Sequence, residues 1–92
     1  MYVILVYDIV SDVAGQKVSS KVFKTCKKFL IHIQNSTFEG ELTNAQWMKL
    51  KMELSKYIRK DRDSVIVFRT SQEKWLKKDF LGIEFDATCN LL

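Results

Sequence analysis

The sequence has no proline, only two cysteines and a single histidine in its 92 residues. With no proline and no low-complexity run, nothing marks a linker, so residues 1–92 read as one domain. Cys26 and Cys89 stand far apart and form no CxxC pair. Together with His32 they make fewer than the roughly four ligands a structural zinc site takes, so two reduced thiols in a cytoplasmic protein are expected instead. His32 lies inside the apolar stretch FLIHI, where a strand residue is the better reading, and this argues against a Ser–His–Asp or Cys–His centre. No apolar run approaches the roughly 20 residues of a membrane helix. The opening MYVILVYD carries an acid at position 8 and no basic residue before it, unlike an export signal.

What is present is an ordinary globular mixture, 47% hydrophobic and 28% charged, with 15 Lys and Arg against 11 Asp and Glu, a net charge of +4. A chain of this size buries about 60–65% of its unfolded surface. That supports a fold but not a deep private cavity, so a site is expected to be shallow or to span a subunit boundary.

Tyr2 to Tyr7 are six consecutive apolar or aromatic residues, too short for a helix and suited to a strand covered on both faces. After a loop at 9–15, residues 16–30 place Val18, Val22, Cys26 and Phe29 on one helical face, with Phe23 and Leu30 widening it. Residues 31–42 are extended, but Ile31 and Ile33 are apolar at odd positions while Phe38 and Leu42 are apolar at even ones. The phase slip predicts a turn or bulge near Asn35-Ser36 and two short strands, about 31–34 and 36–42. Thr43 and Gln46 form a capping box opening a second helix, whose stripe is Trp47, Leu50, Leu54, Tyr57 and Ile58; Met48 and Met52 point away from it. Ser64–Thr70 reads as another buried strand. The tail 74–92 is too apolar to be free, and Gly82 splits it, as for two short strands.

The order β-α-β-β-α-β predicts an α+β, ferredoxin-like fold, an antiparallel sheet with two helices on one face. The other face must be polar, stack bases or meet a partner. Apolar residues at both parities of the first and last strands favour a partner, and a homodimer packed through sheet faces is expected.

Asp8 is the residue singled out for chemistry. It either terminates the strand, with an Asx turn toward Ser11, or serves phosphate chemistry. One carboxylate holds Mg²⁺ poorly, but a twofold axis would join two Asp8 side chains into a site for a divalent ion and a substrate phosphate, with no histidine required. Asp12 reads as a loop or helix-start acid, and Glu39 and Glu41 as solvated groups or inter-subunit partners. Lys17, Lys21, Lys24 and Lys28 share one helical face, Lys27 adds a fifth lysine to the helix, and no acid falls between residues 13 and 38. The face is either ordinary solvated surface or a contact for the phosphates of DNA or RNA.

The opening MYVILVYDI, the helix beginning near Lys17-Val18, the segment QNSTFEGEL at 34–42 and DSVIV at 63–67 resemble the CRISPR-associated Cas-two family, the small subunit of the spacer-acquisition machinery, over essentially the whole chain. The resemblance implies a ferredoxin-like homodimer whose C-terminal strand adds to the partner's sheet. It implies that Asp8 is the strand-end aspartate that binds Mg²⁺ or Mn²⁺ at the dimer interface. It further implies metal-dependent endonuclease activity on single-stranded RNA or double-stranded DNA, and a scaffold role bridging CRISPR integrase subunits around prespacer DNA. Family chains often carry arginines just after the Asp loop, where this chain has Val13-Ala-Gly-Gln-Lys17. A stand-alone toxin-type ribonuclease of the same fold and a non-catalytic nucleic-acid-binding dimer are the alternatives.

Overall fold

A computed structural model describes residues 1–82. The elements are β1 (Tyr2–Asp8), α1 (Gly15–Phe29), β2 (Ile31–Gln34), β3 (Thr37–Glu41), α2 (Asn44–Ser55) and β4 (Ser64–Thr70), followed by a 3₁₀ turn at Glu73–Trp75. The strands form one sheet in the order β2-β3-β1-β4, every neighbour antiparallel. This is the ferredoxin-like α+β arrangement expected from the element order.

Period-two alternation divides β1 between the two faces. Val3, Leu5 and Tyr7 are buried with Val22 and Cys26 of α1, Leu50 and Leu54 of α2, and Phe38 of β3. Both helices therefore pack on one side of the sheet, held by apolar stripes that a 3.6-residue period brings to one face. The capping box closes as expected, with Gln46 N donating to Thr43 Oγ1 at 3.1 Å and Thr43 N donating to Gln46 Oε1 at 2.9 Å. The regular helix stops at Ser55, yet the amides of Tyr57 and Ile58 still donate to the Leu54 carbonyl, and both side chains pack against the core.

The phase slip in residues 31–42 is a bulge: the β2–β3 register shifts between His32 and Gln34. Asn35 takes φ 42°, the left-handed region that Asn tolerates better than most residues. His32 Nε2 donates to the Asn35 carbonyl at 2.7 Å and closes the hairpin.

Two expectations change. The Ser64–Thr70 strand is an edge, not a buried strand, and within one chain Ile66 and Phe68 remain 54% and 59% exposed. The pair of helices is used up on the face toward Val65 and Val67, so no helix covers the opposite one, and residues 1–82 shield it around Tyr2 and Glu39 while leaving Ile66 and Phe68 exposed. In the tail, residues 74–82 hold part of the 3₁₀ turn and no strand. Lys78 pairs with Glu39, whose register position is on the uncovered face, so this stretch meets the sheet across a face rather than along an edge. The expected C-terminal strand beyond that point, like Cys89, lies outside the described residues.

The loop after β1 is fixed by ions. Asp63, its side chain fully buried, accepts from Val10 N at 3.0 Å, from Arg59 N at 3.0 Å, and from Arg59 Nε and Nη2 at 2.8 and 3.0 Å. Arg59 also donates to Asp12 Oδ1 at 2.5 Å and to the Val10 carbonyl at 3.1 Å. Arg62 joins Asp12 to Asp61, at 3.0 and 2.8 Å. The Arg59 guanidinium holds the Asp63 carboxyl well below the usual carboxylate range, and Arg59 and Arg62 together lower that of Asp12. Gly15 opens α1 against the same Val10 carbonyl, where a Cβ would stand 2.0 Å from the oxygen.

Gly15→Ala is expected to destabilise the fold by about 1–3 kcal/mol, the usual cost of overpacking, read by urea unfolding at fixed protein concentration. The Asp63 contribution has an acid limit. A carboxyl lowered by folding stabilises above its unfolded pKa and loses that effect as pH falls toward its folded value. The stability gap between the parent chain and Asp63→Asn is therefore expected to hold steady down to about pH 5 and to narrow below about pH 4, in a pH series of urea titrations. A gap independent of pH throughout would contradict the ion pair.

Candidate metal centre and nucleic-acid interface

Asp8 is the last residue of β1 and pairs with Ser64, the first of β4. Because Val3, Leu5 and Tyr7 face the helices, Ile4, Val6 and Asp8 face the uncovered side. Antiparallel register adds Phe68 opposite Ile4 and Ile66 opposite Val6. The uncovered face thus carries an apolar stripe with an exposed carboxylate at its end. Toward β3 its character changes. Glu39, opposite Ile4, and Glu41, opposite Tyr2, lie on the same face.

The other acids of this region are committed. Asp12, Asp61 and Asp63 are each held by arginine. Glu39 is half-buried and pairs with Lys78 of the same chain, which departs from the solvated one of the two readings given for it, and Glu41 pairs with the N-terminal ammonium at 3.0 Å. Burial and the Glu39 carboxylate push the Tyr2 phenol up. Within residues 1–82 no ion pair or hydrogen bond engages the Asp8 carboxylate, and no three His, Cys, Asp or Glu side chains cluster closely enough to hold a metal ion. Asp8 is a hard oxygen donor of the kind Mg²⁺ and Mn²⁺ take, but one carboxylate per chain does not complete their shell. The donor set fits such an ion only when a second copy supplies its own Asp8.

The remaining nucleophile and base types are accounted for. The Cys26 thiol is fully buried, and burial pushes its pKa up to about 12, which keeps it a neutral core group. His32 sits between Phe23 and Phe38, ring centroids 4.9 Å from each. Its Nε2 is spent on the hairpin.

The lysines of α1 do not share one environment. Lys28 lies 3.6 Å from Glu53 of α2, and Lys21 stands over the Tyr57 ring at 5.4 Å. Lys17 and Lys24 are exposed. Lys24 borders an open cleft of about 620 Å³ whose walls include Ile9, Ser11, Asp12 and Gln16, so the basic face runs back to the end of the strand that carries Asp8. Helical spacing alone grouped all four, since only the packing of α2 beside α1 separates those with partners from those without. The Arg59–Asp63 network escaped sequence reasoning altogether. Its one visible signal was the charged turn Asp61-Arg62-Asp63 following Arg59, and nothing local links that turn to Val10.

A family model, CRISPR associated protein Cas2, matches residues 1–78. The CRISPR-associated endoribonuclease Cas2 of Fusobacterium nucleatum is 50% identical over 92 residues, all of this chain and 87% of that protein. A protein of the same description from Thermodesulfovibrio yellowstonii is 42% identical over 91 residues, 99% of this chain and 98% of its own length. Among solved structures, Streptococcus pyogenes Cas2 at pH 6.5 superposes with a TM-score of 0.79 at 29% identity, covering 89% of this chain and all of that one. A second Cas2 crystal structure gives 0.78 at 34% identity, over 91% of this chain and 88% of the other. Sequence match across the sheet and both helices, together with the shared topology, places the chain in the CRISPR-associated Cas2 family.

Proposed function

We propose that the protein is a metal-dependent endonuclease of the CRISPR adaptation machinery, acting as a homodimer in the cytoplasm, with Asp8 of each subunit holding Mg²⁺ or Mn²⁺ at the subunit boundary. The single observation that carries this reading is the position of Asp8 on the uncovered face, in line with Ile4 and Val6. Ile31, Ile66 and Phe68 are each more than half exposed on that face in the single chain. A second copy covering the stripe removes apolar surface from water at roughly 25 cal/mol per Å². It also brings two strand-end carboxylates to one seam, a symmetric partner being the simplest surface with matching chemistry. Relatives described as endoribonucleases support phosphodiester cleavage as the reaction and RNA as a substrate.

Each part of the chain then has a task. The paired Asp8 carboxylates would hold the cation at the subunit boundary. The apolar stripe excludes water from the seam and fixes the separation of the two acids. A cation held there would supply Lewis acidity toward a phosphoryl oxygen and toward water, the chemistry a histidine would otherwise provide. Lys17, Lys21, Lys24 and Lys28 engage backbone phosphates without reading sequence. During spacer acquisition the same dimer bridges CRISPR integrase subunits and holds prespacer DNA. Family membership supports that role, as does the acid-free basic helix.

Asp8→Asn is expected to leave a dimer by light scattering while abolishing Mn²⁺-supported cleavage of a labelled single-stranded RNA. Full cleavage by that variant, or by the parent chain in excess EDTA, would show the assignment to be wrong. For the basic face, Lys17→Ala with Lys24→Ala is expected to reduce duplex affinity and to lower the slope of log K against log salt by about 0.9 for each phosphate that is no longer neutralised. Lys28→Ala is expected to change the slope less, because Glu53 already neutralises that charge. Equal slopes for parent and double variant would return these lysines to ordinary solvated surface.

A further inference from the structure

The ion network of the α2–β4 turn bears directly on the strand end that carries Asp8. The pairs Tyr7–Val65 and Asp8–Ser64 are the last rungs between β1 and β4. Past them, Val10 N finds no strand partner; it donates to Asp63, the residue immediately before Ser64, at 3.0 Å. A carboxylate therefore extends the ladder where the backbone stops. The Val10 carbonyl is held from the other side, by Arg59 Nη2 at 3.1 Å and by Asp12 N at 3.0 Å. Both polar groups of Val10 are thus satisfied by one interlocked set of charges, while Asp8, two residues earlier, keeps its carboxylate out of that set.

We infer that Arg59 and Asp63 are positioning residues for Asp8, clamping the main chain at Val10 so that the Asp8 carboxylate is presented from an immobile strand end. The assignment rests on the Asp8 reading above. Its physical need is clear. Mg²⁺ demands near-ideal octahedral geometry at about 2.0–2.1 Å, and two ligands from different subunits meet it only when each strand end is rigid. Loops following a strand are ordinarily among the more mobile parts of a fold. Here the fork of Arg59 contacts Asp63, Asp12 and Val10 at once, a geometry that a lysine cannot reproduce. The network also keeps its arginines occupied with Asp12, Asp61 and Asp63.

The test uses the full chain, as Asp63→Asn and Arg59→Lys. Mn²⁺ binding is followed through loss of the free-ion paramagnetic resonance signal, and Val10 protection by amide hydrogen exchange. Cleavage of a labelled single-stranded RNA gives kcat and KM separately. Both variants are expected to remain dimers and to bind that RNA in EDTA within about twofold of the parent. Val10 is expected to exchange faster. Mn²⁺ affinity and kcat are expected to fall about 10–100-fold with KM unchanged, the usual scale for groups that orient a ligand from behind. Arg59→Lys, which keeps the charge and loses the fork, is expected to fall part of the way, and it carries the test alone should Asp63→Asn not fold. Parental Mn²⁺ affinity and kcat in folded variants would overturn the positioning role, as would an equal loss of RNA binding in EDTA. Asp8→Asn separates the two levels: inactive Asp8→Asn beside fully active clamp variants removes only the positioning role, whereas active Asp8→Asn removes the Asp8 reading beneath it.

Discussion

One constraint organises the molecule: two helices cover one side of a four-stranded sheet and no helix covers the other, where the described residues leave Ile66, Phe68 and Asp8 exposed. A strand alternates its side chains, so burying Val3, Leu5 and Tyr7 under the helices obliges Ile4, Val6 and Asp8 to face outward. Ile66 and Phe68 follow by register. The uncovered face is apolar where a solvated face would be polar. The acid at its end gains meaning from that neighbourhood, because whatever covers the stripe comes up against Asp8.

Electrostatics sharpen the same point. Acids are abundant around the strand end, yet Asp12, Asp61 and Asp63 are matched with Arg59 and Arg62. Arginine suits this work because its planar fork serves two carboxylates and a main-chain carbonyl at once, with its charge retained at any ordinary pH. Charge that is internally matched is unavailable for ligand binding. Asp8 stands apart by being left out of the match, and this distinction is one of partners rather than of residue type.

Much of the fold was legible because its signals are local. The capping box at Thr43 and Gln46, the phase slip between Ile33 and Phe38, and the helical stripe of Val18, Val22 and Cys26 each depend on residues a few positions apart. The hairpin bulge and Asn35 turn stand where the slip indicated. The edge position of β4 was misread, since a run such as SVIVF is equally apolar whether a strand is central or awaits a partner. The pairing of Glu39 was not legible for a related reason: its partner Lys78 lies 39 residues away. Of the candidate site, the strand-end placement of Asp8 was legible, and the separate environments of Lys17, Lys21, Lys24 and Lys28 were not.

Chain order alone carries the sequence of elements, the buried stripe of each helix, and the isolation of Asp8 after an apolar run. These follow from periodicity and capping, which act over one or two turns of chain. Folding in three dimensions sets which acids near that strand end are already neutralised, which lysines have partners, and that Asp63 takes over the hydrogen bond of the Val10 amide. The contacts of Lys28 with Glu53, of Asp12 with Arg59 and of Val10 with Asp63 join residues 25 to 53 positions apart, and chain order carries no trace of a distance that only folding makes short.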